Sequence, residues 1–257
     1  MPKKKVAVVI PARMASSRFP GKPLAKILDL PMIEHVRRRA CLSSAVDDVY
    51  VATCDEEIFE AVTRYGGRAI MTANTHERCT DRVEEAAKGL EHEIIIIVQG
   101  DEPLFEPRTL EVLLEPMQRD DNIHCTNLLS VIRDEEDMSD IDTVKAVLDQ
   151  KGFVMYFSRS PIPYLRVHNN CPMYRQTGIS AFTRSFLNIY SNLPPTPLEI
   201  AESVDFLRIL EHGYSLLGVA HDRKTVGVER KSDVGIVEKI LKEDVFQRRI
   251  YQKILES

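Results

Sequence analysis

The sequence predicts an α/β protein: a doubly wound, mainly parallel sheet carrying a β-rich insertion. Three observations lead there. Strand and helix patterns alternate through the first hundred residues, as a parallel sheet covered by helices requires. The run Glu93-Ile94-Ile95-Ile96-Ile97-Val98 is β-branched and unbroken, which suits a central strand buried on both faces. The first strand opens directly into a loop of small and basic residues, the place where an open α/β sheet binds ligands.

Residues 5–10 form the first predicted strand. Residues 32–43 read as a helix, with Ile33, Val36 and Ala40 at helical spacing. A strand at 48–53 and a helix at 56–65 follow, the helix stopped by Gly66-Gly67. Residues 68–71 are a third strand, 81–90 a helix and 93–98 the Ile-rich strand. The pattern changes after about Thr126, where strands are expected at 126–132, 143–148, 153–157 and 178–182. Helices are expected at 185–190 and 201–212, the latter ended by Gly213. A strand at 215–220 and a helix from 231 to the end complete the chain. No linker or repeat is evident, so one domain over residues 1–257 is expected, with the insertion at roughly 126–182.

Composition narrows the class. The 257 residues are 44% hydrophobic and 28% charged, a soluble globular mix, and the net charge of −5 argues against general nucleic-acid binding. No apolar run approaches the ~20 residues of a membrane span. Lys3-Lys4-Lys5 leads straight into a strand pattern without a signal-peptide core, and the five cysteines show no CxxC spacing. A cytoplasmic protein with reduced thiols is the expectation.

Two motifs carry chemistry. Residues 11–24 read Pro-Ala-Arg-Met-Ala-Ser-Ser-Arg-Phe-Pro-Gly-Lys-Pro-Leu. Small residues let backbone N–H groups approach a ligand, and Arg13, Arg18 and Lys22 match phosphate oxygens in charge. The alternative is an ordinary basic loop. Gln99-Gly100-Asp101-Glu102-Pro103 ends the Ile-rich strand, and Asp101 there is a candidate ligand for Mg²⁺, a hard cation that takes carboxylate and phosphate oxygens. A plain turn is the competing reading. The first strand lacks a following Gly-x-Gly-x-x-Gly turn, which argues against a dinucleotide oxidoreductase.

Residues 10–24, Thr80-Asp81-Arg82, 98–103, Val144-Lys145, 156–163 and 195–210 together resemble the sugar-acid cytidylyltransferases, most closely those acting on 3-deoxy-manno-octulosonate (Kdo). The resemblance implies a Rossmann-like nucleotidyltransferase fold, CTP and Mg²⁺, and a homodimer formed through the insertion. It implies attack of a 2-keto sugar acid's anomeric hydroxyl on the α-phosphorus of CTP. Pro11, Ala12, Arg13, Ser17, Arg18, Lys22, Thr80, Arg82 and Gln99 are then expected at the nucleotide, with Arg13, Lys22 and Asp101 catalytic. Thr80 or Asp81 could equally be no more than a helix cap. Gln99, Arg159, Arg166, Gln176, Ser180, Asp205 and Phe206 are expected at the acceptor. Arginine forks suit its carboxylate, although surface salt bridging is the alternative for Arg159 and Arg166.

Departures from the family cluster. A usual His-x-Gly-Ile-Tyr-Ala-Tyr reads Gln176-Thr177-Gly178-Ile179-Ser180-Ala181-Phe182, and Leu-Glu-Gln-Leu-Arg reads Val204-Asp205-Phe206-Leu207-Arg208. The Gly-Val-Asp segment, whose Asp is a family metal ligand, reads Gly227-Val228-Glu229, and Ser-Gly before Thr-Asp-Arg reads Arg78-Cys79. Glu229 keeps a carboxylate, with Asp233 as a possible substitute. The other changes suggest a retained nucleotide half and a retuned acceptor half, open to an aminated Kdo, a sialic-type acid or a phosphonate. A non-catalytic nucleotide-binding relative is the remaining alternative.

Overall fold

The structure is a computed structural model and describes residues 4–16, 18–133, 135–167, 171–222 and 226–256. It divides into two compact units, Met1–Glu111 with Thr225–Ser257, and Val112–Lys224.

The first unit begins with β1 (Val6–Ala12), β2 (Lys26–Ile27), β3 (Leu30–Pro31), α1 (Met32–Cys41) and β4 (Asp48–Thr53). It continues with α2 (Glu56–Arg64), β5 (Arg68–Met71), α3 (Cys79–Ala87) and β6 (Ile94–Val98). The strands β6, β1, β4 and β5 lie in that order and pair in parallel throughout. Every residue of β1 and β6 is buried, which explains their continuous apolar sequence. The chain runs outward from β1 through β4 to β5, then returns to the other flank of β1. The order therefore reverses between β1 and β6, and ligands bind at the carboxyl ends of strands at such a point.

Helix α1 buries charged side chains as well as its apolar stripe. Glu34 is fully buried and accepts from Arg37 Nε (2.8 Å) and Nη2 (2.6 Å) and from Arg38 Nε (3.0 Å). Arg38 Nη1 also donates to the carbonyl of Ile254 (2.7 Å). His35 lies between them, its Nε2 donating to the carbonyl of Ile27 (2.8 Å). Burial pulls its pKa down to about 4, so the ring is neutral at ordinary pH.

In the second unit and at its edge the elements are α4 (Thr109–Arg119), β7 (Cys125–Val131), α5 (Glu135–Ser139), β8 (Lys145–Leu148) and β9 (Val154–Ser158). Then come β10 (Tyr174–Thr183), α6 (Arg184–Ser191), α7 (Pro197–Glu202), α8 (Leu207–Glu211) and β11 (Leu217–His221). β7 runs parallel to β11 and antiparallel to β10, while β8 is antiparallel to β10 and β9. The β7–β10 register shifts between Gln176 and Ser180, where Asn127 Nδ2 donates to the carbonyls of Ile179 (2.9 Å) and Thr177 (3.3 Å). Helix α4 was not among the expected elements. Its signal, Leu110, Leu113, Leu114 and Met117 at helical spacing, is interrupted by Pro116.

Two expected helices prove to be pairs. The helix expected over 201–212 is instead α7 and α8, separated by Ser203 in the left-handed region (φ 52°). That turn brings Arg208 back onto the fully buried Glu199, with Nε at 2.7 Å and Nη2 at 2.6 Å from its carboxylate. The helix expected from 231 onward is α9 (Asp233–Glu243) and α10 (Val245–Leu255), separated by Asp244 in extended conformation. Asp244 caps α10 by accepting from the Gln247 N–H (2.7 Å). Val237, Leu241, Ile250, Tyr251 and Ile254 of these helices share a core with Ile27, Leu30, Met32, Leu104 and Val228.

Two stability measurements follow. The unfolded chain protonates His35 near the ordinary imidazole pKa of 6.5 and the folded one only near 4. Between those values the unfolded state binds more protons, so stability is fully present above about pH 6.5 and is lost as pH drops towards 4, by about 3 kcal/mol in all. Urea unfolding of His35→Gln should lose this part of the difference between pH 7.5 and pH 4. Arg208→Met leaves Glu199 buried and unpaired, and should cost about 3–5 kcal/mol in the same assay. Glu199→Gln added to Arg208→Met should recover part of that loss.

Candidate active site

A cavity of about 290 Å³ opens in the first unit at the carboxyl ends of β1 and β6. β1 contributes Pro11 and Ala12, and the loop after it Arg13, Ser16 and Arg18. The loop is held by its own backbone: the Met14 carbonyl accepts from the N–H of Ser16 (2.9 Å) and of Gly21 (3.0 Å). Met14 N–H donates in turn to Asp55 Oδ2 (2.8 Å). Gly21 sits at φ +73°, a conformation that glycine adopts at no steric cost, and turns the chain into a 3-10 turn over Lys22–Leu24.

The Lys22 ammonium donates to Asp101 Oδ2 (2.6 Å) and to the carbonyl of Val228 (3.0 Å). Val228 N–H donates to the carbonyl of Asp101 (2.9 Å), so Lys22, Asp101 and Val228 close a ring of contacts. Gly100 packs tightly beside it: a Cβ there would lie 3.1 Å from the Pro11 carbonyl oxygen, and the backbone would have to give by a few tenths of an ångström. Glu229 also lines the cavity and pairs with Arg18 across 2.9 Å, both side chains half exposed. Asp233 accepts from the N–H groups of Glu229 (2.9 Å) and Arg230 (2.8 Å). Burial acts to raise its pKa, but these bonds outweigh it and hold the carboxyl below its ordinary range.

The cavity's remaining wall is the approach to α3: His76, Glu77, Arg78, Cys79 and Arg82. Gln99 Nε2 donates to Cys79 Sγ (2.9 Å), tying this wall to the end of β6. His76 contacts the carboxylate of Glu85, and that hydrogen bond holds Glu85 below its usual pKa. Arg82 Nη1 donates to Thr72 Oγ1 (2.5 Å). Thr80 is buried within α3.

Of the expected nucleotide residues, Pro11, Ala12, Arg13, Arg18, Lys22, Arg82 and Gln99 line this one cavity, together with Asp101 and Glu229. Ser17 lies outside the described residues. Sequence reasoning gave no role to His76 and Arg78. The Arg78-Cys79 departure was their signal, because a change at a helix start beside a binding loop alters the cavity wall.

The expected acceptor residues other than Gln99 lie in the second unit. Arg159 has a carbonyl partner for each guanidinium nitrogen: Nε donates to that of Glu202 (2.7 Å), Nη1 to that of Ile141 (2.9 Å) and Nη2 to that of Ser203 (3.3 Å). Its N–H, with Ser158 Oγ, also donates to the Glu202 carboxylate (2.9 and 2.6 Å). Arg159 thus braces the α7–α8 turn. Phe206 is buried in an aromatic cluster, 5.9 Å from Phe182 and 6.3 Å from Phe157 between ring centroids. Asp205 accepts from Tyr190 through its backbone carbonyl (2.9 Å). Gln176 and Ser180 flank the β10 irregularity, and Arg166 is exposed.

Among the described residues no group of three or more His, Cys, Asp or Glu side chains forms a metal cluster, and no helix is long and apolar enough to cross a membrane. Asp101 and Glu229 in one cavity nevertheless suit Mg²⁺, which commonly takes one or two carboxylates and completes its shell with phosphate and water.

The fold is that of a nucleotidyltransferase, and residues 7–224 match the cytidylyltransferase family profile: the chain belongs to that family. It is 40% identical over 248 residues to the 3-deoxy-manno-octulosonate cytidylyltransferase of Geobacter metallireducens, covering 92% of this chain and 98% of the relative. It is 39% identical over 242 residues to that of Chlorobium phaeobacteroides, with coverages of 93% and 98%. A solved CMP:2-keto-3-deoxy-manno-octonic acid synthetase complexed with CTP superposes with a TM-score of 0.89 at 39% identity, covering 94% of this chain and 100% of that one.

Gly100→Ala tests the close approach of β1 to the Asp101 loop. The added methyl should lower unfolding stability by about 1–2 kcal/mol, read from a denaturant melt.

Proposed function

We propose that this protein is a CTP-dependent cytidylyltransferase that couples CMP to Kdo and releases pyrophosphate. The observation that carries the reading is the Lys22–Asp101 pair at 2.6 Å, inside a cavity at the strand-order reversal. A cation suited to phosphate and a carboxylate suited to a hard metal ion stand side by side there. Likeness to Kdo cytidylyltransferases along nearly the whole chain supports the acceptor.

In this reading Arg13, Arg18 and Lys22 bind the triphosphate, Arg as a planar fork and Lys as a point charge. Asp101 and Glu229 would hold Mg²⁺, which supplies charge neutralisation at the phosphates and acidifies the attacking hydroxyl. Lys22 exchanges its carboxylate partner for phosphate oxygens when nucleotide enters, and Arg18 does the same with Glu229. The protein's contribution is to align the sugar hydroxyl with the α-phosphorus and to stabilise charge on the leaving pyrophosphate.

None of the five cysteines forms a disulfide, as a reducing, cytoplasmic setting would require. Ile141, Met155, Tyr164 and Val167 are exposed apolar side chains of the second unit, and support a homodimer formed there.

Pyrophosphate release from CTP and Mg²⁺ should be rapid with Kdo. Lys22→Ala and Asp101→Ala should each reduce it at least about a thousandfold while circular dichroism stays unchanged. Activity within tenfold of wild type in either variant would remove its assigned role. Preference for an aminated Kdo or a sialic-type acid in the same assay would reassign the acceptor, and silence with every acid would leave a binding protein.

A further inference from the structure

The family profile ends at residue 224, before α9 and α10 begin. Both helices reach back to the hairpin that follows the Lys22 turn. β2 and β3 form a hairpin directly after the Lys22 turn: Ala25 N–H donates to the Lys22 carbonyl (3.1 Å), and Met32 N–H to that of Ala25 (2.9 Å). Its loop is two residues, Leu28-Asp29. Such loops need a left-handed residue, a position normally filled by Gly or Asn. Here Leu28 occupies it at φ 52°, a conformation uncommon for a bulky side chain.

What holds the turn comes from the far end of the sequence. Leu28 N–H donates to Glu238 Oε1 of α9 (3.0 Å). The Tyr251 hydroxyl of α10 donates to Asp29 Oδ2 (2.7 Å) and accepts from Asp29 N–H (3.3 Å). Its ring stacks on His35 at 5.4 Å, and His35 in turn donates to the carbonyl of Ile27. Burial and the bond to Asp29 push the Tyr251 phenol up to about 12, so it keeps the proton it donates. Both residues beyond Ile27 are therefore gripped by helices from the C-terminal segment.

We propose that Glu238 and Tyr251 are positioning residues of the nucleotide site: they impose the left-handed turn at Leu28 and, through the β2–β3 hairpin, fix the backbone that presents Lys22. The consequence for CTP rests on the assignment of Lys22 to the triphosphate. Neither side chain lines the cavity.

The test uses the full chain with Glu238→Ala, Tyr251→Phe and the two combined, each with and without Leu28→Asn. Hydrogen exchange of amides 21–32 and calorimetric CTP affinity are the readouts. The double variant should exchange in 21–32 about tenfold faster or more and bind CTP about fivefold more weakly, with KM for the acid unchanged. Leu28→Asn should restore both, because Asn adopts the left-handed turn unaided. If the double variant does not fold, the single variants are read in the same way. Unchanged exchange in 21–32, failure of Leu28→Asn to restore it, or unchanged CTP affinity over a loosened hairpin would each overturn the proposal. Lys22→Ala is run alongside. Wild-type CTP affinity in that variant would fault the Lys22 assignment instead, and the exchange arm would still decide whether the clamp exists.

Discussion

One ammonium group organises the first unit's ligand end. Lys22 bonds to the Asp101 carboxylate and to the Val228 carbonyl, so segments 79 and 206 residues apart in sequence meet at a single nitrogen. The two pairings do different things. Bonding to Asp101 keeps a carboxylate and a lysine, both partly buried, from standing unpaired at the edge of the core. Bonding to the Val228 carbonyl fastens the C-terminal segment to the turn that follows the β1 loop, while Val228 N–H fastens it to the Asp101 carbonyl after β6. Around that nitrogen, Gly100 packs close to the Pro11 carbonyl and Val228 N–H closes the ring of bonds onto Asp101.

The parts of this site legible in the sequence are those whose chemistry is local. A buried strand ending in small and basic residues marks its end of the sheet within fifteen positions, and so does Asp101 after the Ile-rich strand; the structure brings both to one cavity. The parts that were not legible depend on tertiary partners. Arg159 reads as a fork for a carboxylate, and here it also donates to the Glu202 and Ser203 carbonyls at the α7–α8 turn, which the sequence presents as unbroken helix, and to the carbonyl of Ile141. Phe206 sits in a segment where the resembling family carries a polar residue, and burial places it with Phe157, Phe182 and Tyr190. A helical apolar pattern does not reveal a left-handed Ser203, because the cause of that break is the reach of Arg208 to Glu199.

Helix α1 shows the same logic in its charges. Glu34, Arg37, Arg38 and Arg39 would read as a solvated face, yet all four are buried. Glu34 is tolerable there because three guanidinium N–H groups reach it, and the arginines spend further donors on the carbonyls of Tyr65 and Ile254. A buried ion cluster of this kind adds little net stability over an apolar one, but it penalises any packing that leaves one member alone. It thereby ties α1 to the C-terminal helix that also grips the β2–β3 turn.

The two ion pairs of the cavity differ in burial, and the difference bears on how a ligand would enter. Lys22 and Asp101 are the more enclosed pair, with side-chain exposures of 13% and 29%; Arg18 and Glu229 stand at 50% and 49%. An exposed pair contributes about 0–1 kcal/mol, so separating Arg18 from Glu229 costs almost nothing. Separating Lys22 from Asp101 is more costly unless phosphate and a cation arrive to replace each partner. Where the resembling family has Asp, Glu229 carries one more methylene, which lengthens its reach towards Arg18 without burying either charge. The inner pair therefore favours the joint arrival of anion and cation, while the outer pair can open for either one, and substitution at residue 229 changes the part of the site that holds least energy.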